Sequence, residues 1–321
     1  MRVNGSENQI LCGFAQNGNI NYFTTHIDNA CPSKHNIDMN KLPKDKRVQV
    51  VSALIEGCSI RSVCRMFKIG KNTVARLLVE VGKVCAMYHD EVMHNLECKR
   101  IQLDEIWSFV GCKGKNVPVE KTDEFGIGDV WTWVALDSDT KLVASWLVGL
   151  RDGGYATEFV QDLAGRLANR VQVTSDGHKA YLEAIEAGFG GDVDYAMLIK
   201  LYGSAPKDEA IRYSPAKCIG CERKYVTGNP HPDFVSTSYV ERQNLQMRMS
   251  MRRFTRLTNG FSKKLENHCH AVALHFFAYN FIRVHGTLGT TPAVAAGVDH
   301  QVWTVEDLVD LVDAYAANSE K

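Results

Sequence analysis

The sequence predicts an α/β chain: a mixed sheet flanked by helices, preceded by an all-helical segment. Three observations carry this expectation. Apolar residues recur at helical spacing from Lys44 to Val84, strand alternation begins at Arg100, and a helix, short strand and helix follow between Tyr155 and Ala187. The 321 residues suit two or three domains. At 45% hydrophobic and 23% charged, the composition is that of a globular chain, not a disordered or fibrous one. The longest apolar stretch, Ala271 to Ile282, contains His275 and Asn280 and is too short to cross a bilayer. The N-terminus lacks the apolar core of a secretory signal. Ten cysteines are too sparse for a disulfide scaffold and fit a reducing, cytoplasmic setting with no membrane partner.

Lys+Arg and Asp+Glu both number 37, but the charge is uneven. From Lys41 to Cys85 ten Lys/Arg stand against three acids, and from Lys200 to Thr290 fourteen stand against six, which leaves the remainder acidic. Two basic blocks suit two separate polyanion contacts. Two ordinary solvated faces explain the same numbers.

In the first block, Lys44 to Gly57 spaces Val48, Val51, Leu54 and Ile55 as a helix, with Gly57 as its stop. Ser59 caps a second helix carrying Ile60, Val63, Cys64 and Phe67. Gly70 supplies a tight turn and Asn72 caps a third helix. Helix, short turn, helix is the helix-turn-helix pattern, whose last helix enters a major groove. Arg61, Arg65, Lys68, Lys71 and Arg76 fall where phosphates would run, and Lys71, Asn72, Thr73 and Arg76 are exposed candidates on the recognition helix. Cys58, Cys64 and Cys85 read as small core residues. Residues 1–40 read as a poorly defined appendage, in which Cys12 and Cys31 are too far apart to spell a zinc site.

From Arg100, Ile101, Leu103, Trp107 and Phe109 alternate with Gln102, Asp104 and Ser108. Asp104 and Glu105 are strand neighbours on opposite faces, so only one of them is expected in a given site, with Glu105 the substitute if the register is reversed. A hairpin turning at Asp137-Ser138-Asp139 follows, then a helix from Tyr155 to Asn169, a strand Val171–Thr174 ending at Asp176-Gly177, and a helix from His178 to Ala187. This order describes a ribonuclease-H-like mixed sheet. A carboxylate ending a parallel strand lies on the rim where such sheets hold ligands.

A further helix starts near Ser236, with Glu241, Asn244, Leu245, Arg248 and Arg252 on one face. Phosphodiester cleavage needs an activated attacking oxygen and a stabilised leaving oxygen, which two Mg²⁺ ions about 3.5–4 Å apart supply. Hard cations take carboxylate oxygens. Asp104, Asp176 and Glu241 are therefore the expected catalytic and metal-holding residues, with Mn²⁺ a substitute for Mg²⁺.

Asp104 in LDEIWSFVG, Asp176 in TSDG and Glu241 in YVERQN resemble the DDE triad of bacterial insertion-sequence transposases. The likeness is to the insertion-sequence one family, whose catalytic helix carries E-R-x-N, here Glu241-Arg242-Gln243-Asn244. The segment LQMRMSMRRFTRLTNGFSKKLENH and the tail YNFIRVHGTLGTTPA, with His285, Thr291 and Pro292, are similar to the corresponding parts of such enzymes. The resemblance implies a ribonuclease-H-like fold, Mg²⁺-dependent DNA cleavage and strand transfer, and recognition of terminal inverted repeats by the helix-turn-helix. Target DNA and a homodimer or higher oligomer are the other implied partners. Arg242, Arg248, Arg252 and Arg253 are expected on the DNA backbone, and Asn244 is expected to order the site.

The implied domains are 1–40, a helix-turn-helix and linker helix over 41–98, a catalytic domain over 99–295 with a basic insertion around 203–234, and an acidic helix or tail over 296–321. The insertion accounts for the 65 residues from Asp176 to Glu241, more than in the shorter members of the family. It carries Lys207, Arg212, Lys217, Arg223, Lys224 and Cys218-x-x-Cys221, half a structural zinc site with His231 as candidate third ligand and no evident fourth. His268 and His275 read as packing or DNA-side residues, and Trp303 to Ala317 as a helix at a subunit contact or a solvated tail. Two competing functions remain: a catalytically silent DNA-binding regulator, and a structure-selective nuclease.

Overall fold

The computed structural model describes residues 41–121, 126–203, 218–255 and 258–319, and the backbone of two short antiparallel strands, β1 (Phe14–Gln16) and β2 (Asn19–Asn21). Cys12, Cys31 and the other residues of 1–40 beyond those two strands lie outside the described residues, as do Lys207, Arg212 and Lys217.

Three helices open the described chain: α1 (Lys44–Ile55), α2 (Ile60–Phe67) and α3 (Lys71–Val92). Ser59 Oγ accepts from Ser62 N at 3.1 Å, the expected cap. The turn differs in detail. Lys68, not Gly70, takes the left-handed conformation (φ 56°), and Gly70 is extended and precedes the first turn of α3, so Asn72 sits inside the helix and caps nothing. α3 runs on for 22 residues because its second half has a partner, α7 (Leu265–Phe277). The two helices meet at Gly82, where a Cβ would lie 2.5 Å from His270 Cβ, so only glycine allows this approach.

The sheet holds β3 (Arg100–Val110), β4 (Gly128–Asp137) and β5 (Val143–Gly149), paired antiparallel, then β6 (Val171–Ser175), β7 (Val193–Tyr202) and β8 (Cys218–Thr227). The strand order is β5-β4-β3-β6-β7-β8, with β6 parallel to both β3 and β7 and β8 antiparallel to β7. α4 (Gly153–Arg166) and α5 (Ala180–Phe189) make the crossovers. The Asp137 carboxylate closes the β4–β5 turn by accepting from Asp139 N and Thr140 N. β7 and β8 were not expected. β8 is an exposed edge, so the inward face that would have produced alternation is missing. Trp133, Phe159, Tyr181 and Tyr195 form the core on the α4–α5 side.

On the other face lie α6 (Ser238–Ser250) and α7, which continues through a π-helical turn at Ala278–Ile282. α7 is buried from His268 to Phe277, between the sheet and α3. After the short α8 (Pro292–Ala295), the acidic α9 (Val305–Ser319) buries Leu308, Val309 and Val312 against α1 and α3. Asp313 pairs with both nitrogens of Arg47, at 2.6 and 2.7 Å, and with Lys41, while Lys44 reaches Glu306 and Asp310. One face of the C-terminal helix is therefore packed against its own chain, and a free tail does not describe it. Three cations of the first basic block are already neutralised there. Among the described residues no helix is long and apolar enough to cross a membrane.

Candidate functional site

The parallel pairing of β3 with β6 ends at Leu103–Ser175. β3 continues to Val110 against β4, and its other flank is next met only by an isolated bridge from Val110 to Ser262, so just past Ser175 that flank is open. Asp104 is the next residue on β3, and Asp176 the next beyond β6. Asp104, Glu105 and Asp176 each bring one carboxylate oxygen within 4.8 Å of the others, and no other such group exists among the described residues. Strand alternation predicts that Asp104 and Glu105 exclude one another. They do leave β3 on opposite faces, Asp104 toward α6 and Glu105 toward Tyr181 of α5. With no strand beside them, both carboxylates bend round the open flank to Asp176.

This crowding has an electrostatic consequence. Burial, then the neighbouring Asp176, pushes Asp104 up to about 6. The same two causes push Glu105, whose side chain is 1% exposed, up to about 7. Arg151, just past β5, offsets part of the negative charge: its Nε donates to Glu105 Oε2 at 3.1 Å, and its NH2 lies 3.7 Å from Asp176 Oδ2. The guanidinium also rests on the ring of Trp131. Asp176 is further fixed by His178 N, which donates to Oδ1 at 2.9 Å.

α6 is fastened to β3 by two side chains on one face of that strand. Gln102 Oε1 accepts from Tyr239 N (2.9 Å) and Val240 N (3.1 Å), satisfying two orphan donors of the helix start. Two residues on, Asp104 Oδ2 accepts from Asn244 Nδ2 at 2.8 Å. Glu241 lies one turn before Asn244. Its carboxylate is outside the 4.8 Å group and is held by Lys200 of β7 and by Thr237, yet its charge contributes to raising Asp104. Arg151, Lys200, Gln102 and Thr237 went unread in the sequence, since nothing local marks a lone cation or amide whose partner is distant along the chain.

Whether these residues fit a metal can be judged from their donors. All are hard oxygens, and Asn244 Oδ1 is buried beside them without a hydrogen-bond partner. An orphaned acceptor next to clustered carboxylates is what a divalent cation with its water shell would satisfy. The arrangement fits a divalent ion, and the donors do not select which one.

Arg61, Arg65, Lys68, Lys71, Asn72 and Arg76 are exposed around the α2–α3 turn, with Thr73 half-buried. Arg242 and Arg252 are exposed, and Arg248 is half-buried. Arg253 turns inward: NH1 donates to Ser262 Oγ (3.1 Å) and Asn267 O (2.7 Å), and burial pulls it down to about 10.

Cys218 and Cys221 lie together on β8, where the register shift opposite Leu201–Tyr202 disturbs the alternation. His231 is not with them. It sits past the other end of β8, donating its N–H to Gln172 Oε1, so among the described residues the thiol pair has no third ligand. Cys218, Cys221 and His231 therefore do not come together as the half zinc site the spacing suggests. His268 and His275 are packing residues. His268 bridges Ser108 and Ser262, His275 faces Gln243, and burial holds both near 3, hence neutral.

No protein-family model matches the chain, and no curated protein matches it. Among solved structures it is similar to a piggyBac transposase synaptic complex with hairpin DNA, at 11% identity and a TM-score of 0.38, covering 84% of this chain and 70% of that one. A Mos1 transposase paired-end complex with the left transposon end matches at 12% identity and a TM-score of 0.18, over 46% and 57% of the two chains. A Mos1 strand transfer complex matches at 11% and 0.22, over 74% and 76%. These neighbours are transposases.

Proposed function

We propose that the chain is a DDE-type DNA transposase of the bacterial insertion-sequence kind, with a ribonuclease-H-like core and a helix-turn-helix that reads element ends. The observation that carries the reading is the meeting of Asp104, Glu105 and Asp176 at the open end of β6, with α6 bonded to Asp104 through Asn244. Asp104 and Asp176 would hold two divalent ions, Mg²⁺ or in its place Mn²⁺, with Glu241 as the third carboxylate. Glu105 widens the donor set beyond the three residues of the sequence motif. Bound metal supplies an activated water or 3′ hydroxyl and a stabilised leaving oxygen.

The chain's own residues do the rest. Asn244 orients the Asp104 carboxylate, Thr237 and Lys200 orient Glu241, and Arg151 orients Glu105. Arg242, Arg248 and Arg252 follow along and beyond α6, where they meet DNA phosphates. Arg61, Arg65, Lys68, Lys71 and Arg76 do the same around the turn before α3, with Asn72 and Thr73 at base edges. Two ends must be joined, so the working form is a homodimer or larger, bound to terminal repeats and target DNA in the cytoplasm.

The test incubates the protein with Mg²⁺ and labelled duplex bearing the inverted repeats that bracket its gene. Nicks and strand-transfer products are expected, falling more than about a hundredfold in Asp104→Asn, Asp176→Asn and Glu241→Gln. Unchanged products in Glu241→Gln would remove that residue from the triad. End binding without Mg²⁺-dependent cleavage would establish the regulator, and cleavage of any duplex without end preference the nuclease.

A further inference from the structure

Between the α1–α2–α3 segment and the chain that follows α6 lies an open cleft of about 970 Å³. One wall carries Arg61 and Lys71, and the other carries Arg252, Lys263 and Lys264. All five are exposed, and none has an acidic partner among the described residues. The contrast with the far side of α1 is informative. There Lys41, Lys44 and Arg47 are matched by acids of α9, whereas the five cations on the cleft walls have no such match. Among the described residues the only lining carboxylate is Glu266.

The two walls are fixed to each other. Gly57, at φ +78°, lies so close to Ser250 that a Cβ would be 2.5 Å from its carbonyl oxygen. Arg283 bridges them, donating to Ile55 O at 2.9 Å and to Ser250 Oγ at 3.1 Å. A cleft held at both sides loses little freedom when filled.

We propose that this cleft grips one duplex DNA backbone between both basic blocks of a single chain. This rests on the DNA reading above and sharpens it, since the sequence suggested two separate polyanion contacts. Five unpaired cations call for a polyanion. Single strands are held by aromatic platforms. Here the only Phe, Tyr or Trp lining the cleft among the described residues, Phe261, is covered by Lys263 and by Phe109, which leaves the backbone of a duplex. Ser250 at the cleft and Glu241 at the carboxylates are nine residues apart on α6. That is about 14 Å at about 1.5 Å per residue, or the rise of about four base pairs, so the same duplex reaches the catalytic carboxylates.

The test titrates the full chain into fluorescent random-sequence duplexes of about 12 and about 24 base pairs at increasing salt. One short duplex per chain is expected. Lys71→Ala and Lys264→Ala should each weaken its binding and lower the salt slope by about one, with the double variant losing about two and Lys264→Arg restoring the slope. Two short duplexes per chain, each sensitive to one wall, would overturn the shared cleft. So would loss of binding in Arg61→Ala and Lys71→Ala with none in Lys263→Ala and Lys264→Ala, and in both cases the DNA reading would survive. A single strand bound as tightly as the duplex would overturn the duplex assignment. No binding of either duplex by the unaltered chain would overturn the DNA reading itself.

Discussion

Asn244 Nδ2 donates to Asp104 Oδ2 at 2.8 Å across 140 residues of chain. That bond joins the helix bearing the E-R-x-N motif to the central strand of the sheet. It also favours the ionised form of a carboxyl that burial and Asp176 push up to about 6. In Asn244→Ala the Asp104 pKa should rise further. Hydrogen bonds to charged groups contribute about 1.5–3 kcal/mol, so cleavage near neutral pH should fall about tenfold or more, with its acid limb moved to higher pH. A pH–rate profile checks this, and an unmoved acid limb would contradict it.

Asp104 at about 6 and Glu105 at about 7 stand above the unfolded carboxyl values of about 4. Between those limits the folded state binds more protons than the unfolded one, so stability falls as pH rises through the window. Divalent ions favour the ionised forms and reverse the loss. The metal-free melting temperature should therefore drop between about pH 5 and about pH 7.5, and Mg²⁺ should raise it more at the higher pH. Scanning calorimetry distinguishes this from a Mg²⁺ effect equal at both pH values, and Asp104→Asn/Glu105→Gln should flatten both curves.

Gln102 is the second fastening of α6, and it is buried. Gln102→Leu strands the N–H groups of Tyr239 and Val240, at about 1–3 kcal/mol for a buried unsatisfied donor. Urea unfolding should show a loss of about 2–4 kcal/mol, most of it recovered in Gln102→Glu, which keeps the accepting oxygen. Equal losses in both variants would mean that the side chain matters for packing alone.

Arg47 and Asp313 give a prediction far from the carboxylates. Hydrogen bonding from Arg47 holds Asp313 down at about 2, below its unfolded value. A depressed carboxyl stabilises the fold above the unfolded pKa of about 4, and this is lost as pH falls toward about 2. Asp313→Asn should lower stability at neutral pH by about 1–3 kcal/mol, because Arg47 is left buried without its ionic partner. The gap to the unaltered chain should close between about pH 4 and about pH 2 in urea titrations. A gap independent of pH would show that the pair acts through shape and not charge.

Much of this molecule was legible along the chain because it rests on local rules. The Ser59 cap, the helical spacing before Val84, the β4–β5 turn at Asp137 and the E-R-x-N helix depend on residues a few positions apart, and each stands where the pattern put it. What period and propensity do not encode is where a strand loses its neighbour. β6 stops at Ser175 while β3 runs on, and that mismatch lets Glu105 join Asp104 although alternation sends them to opposite faces. Arg151, Lys200 and Gln102 entered the site in the same way, through contacts across dozens of residues. The pairing of α9 with α1, and the meeting of two basic blocks in one cleft, are also products of packing. The sequence by itself determined the elements and most of the carboxylates. Only the tertiary structure decided which charges are matched and which are left free, because Coulomb interactions depend on distance in space and not on separation along the chain.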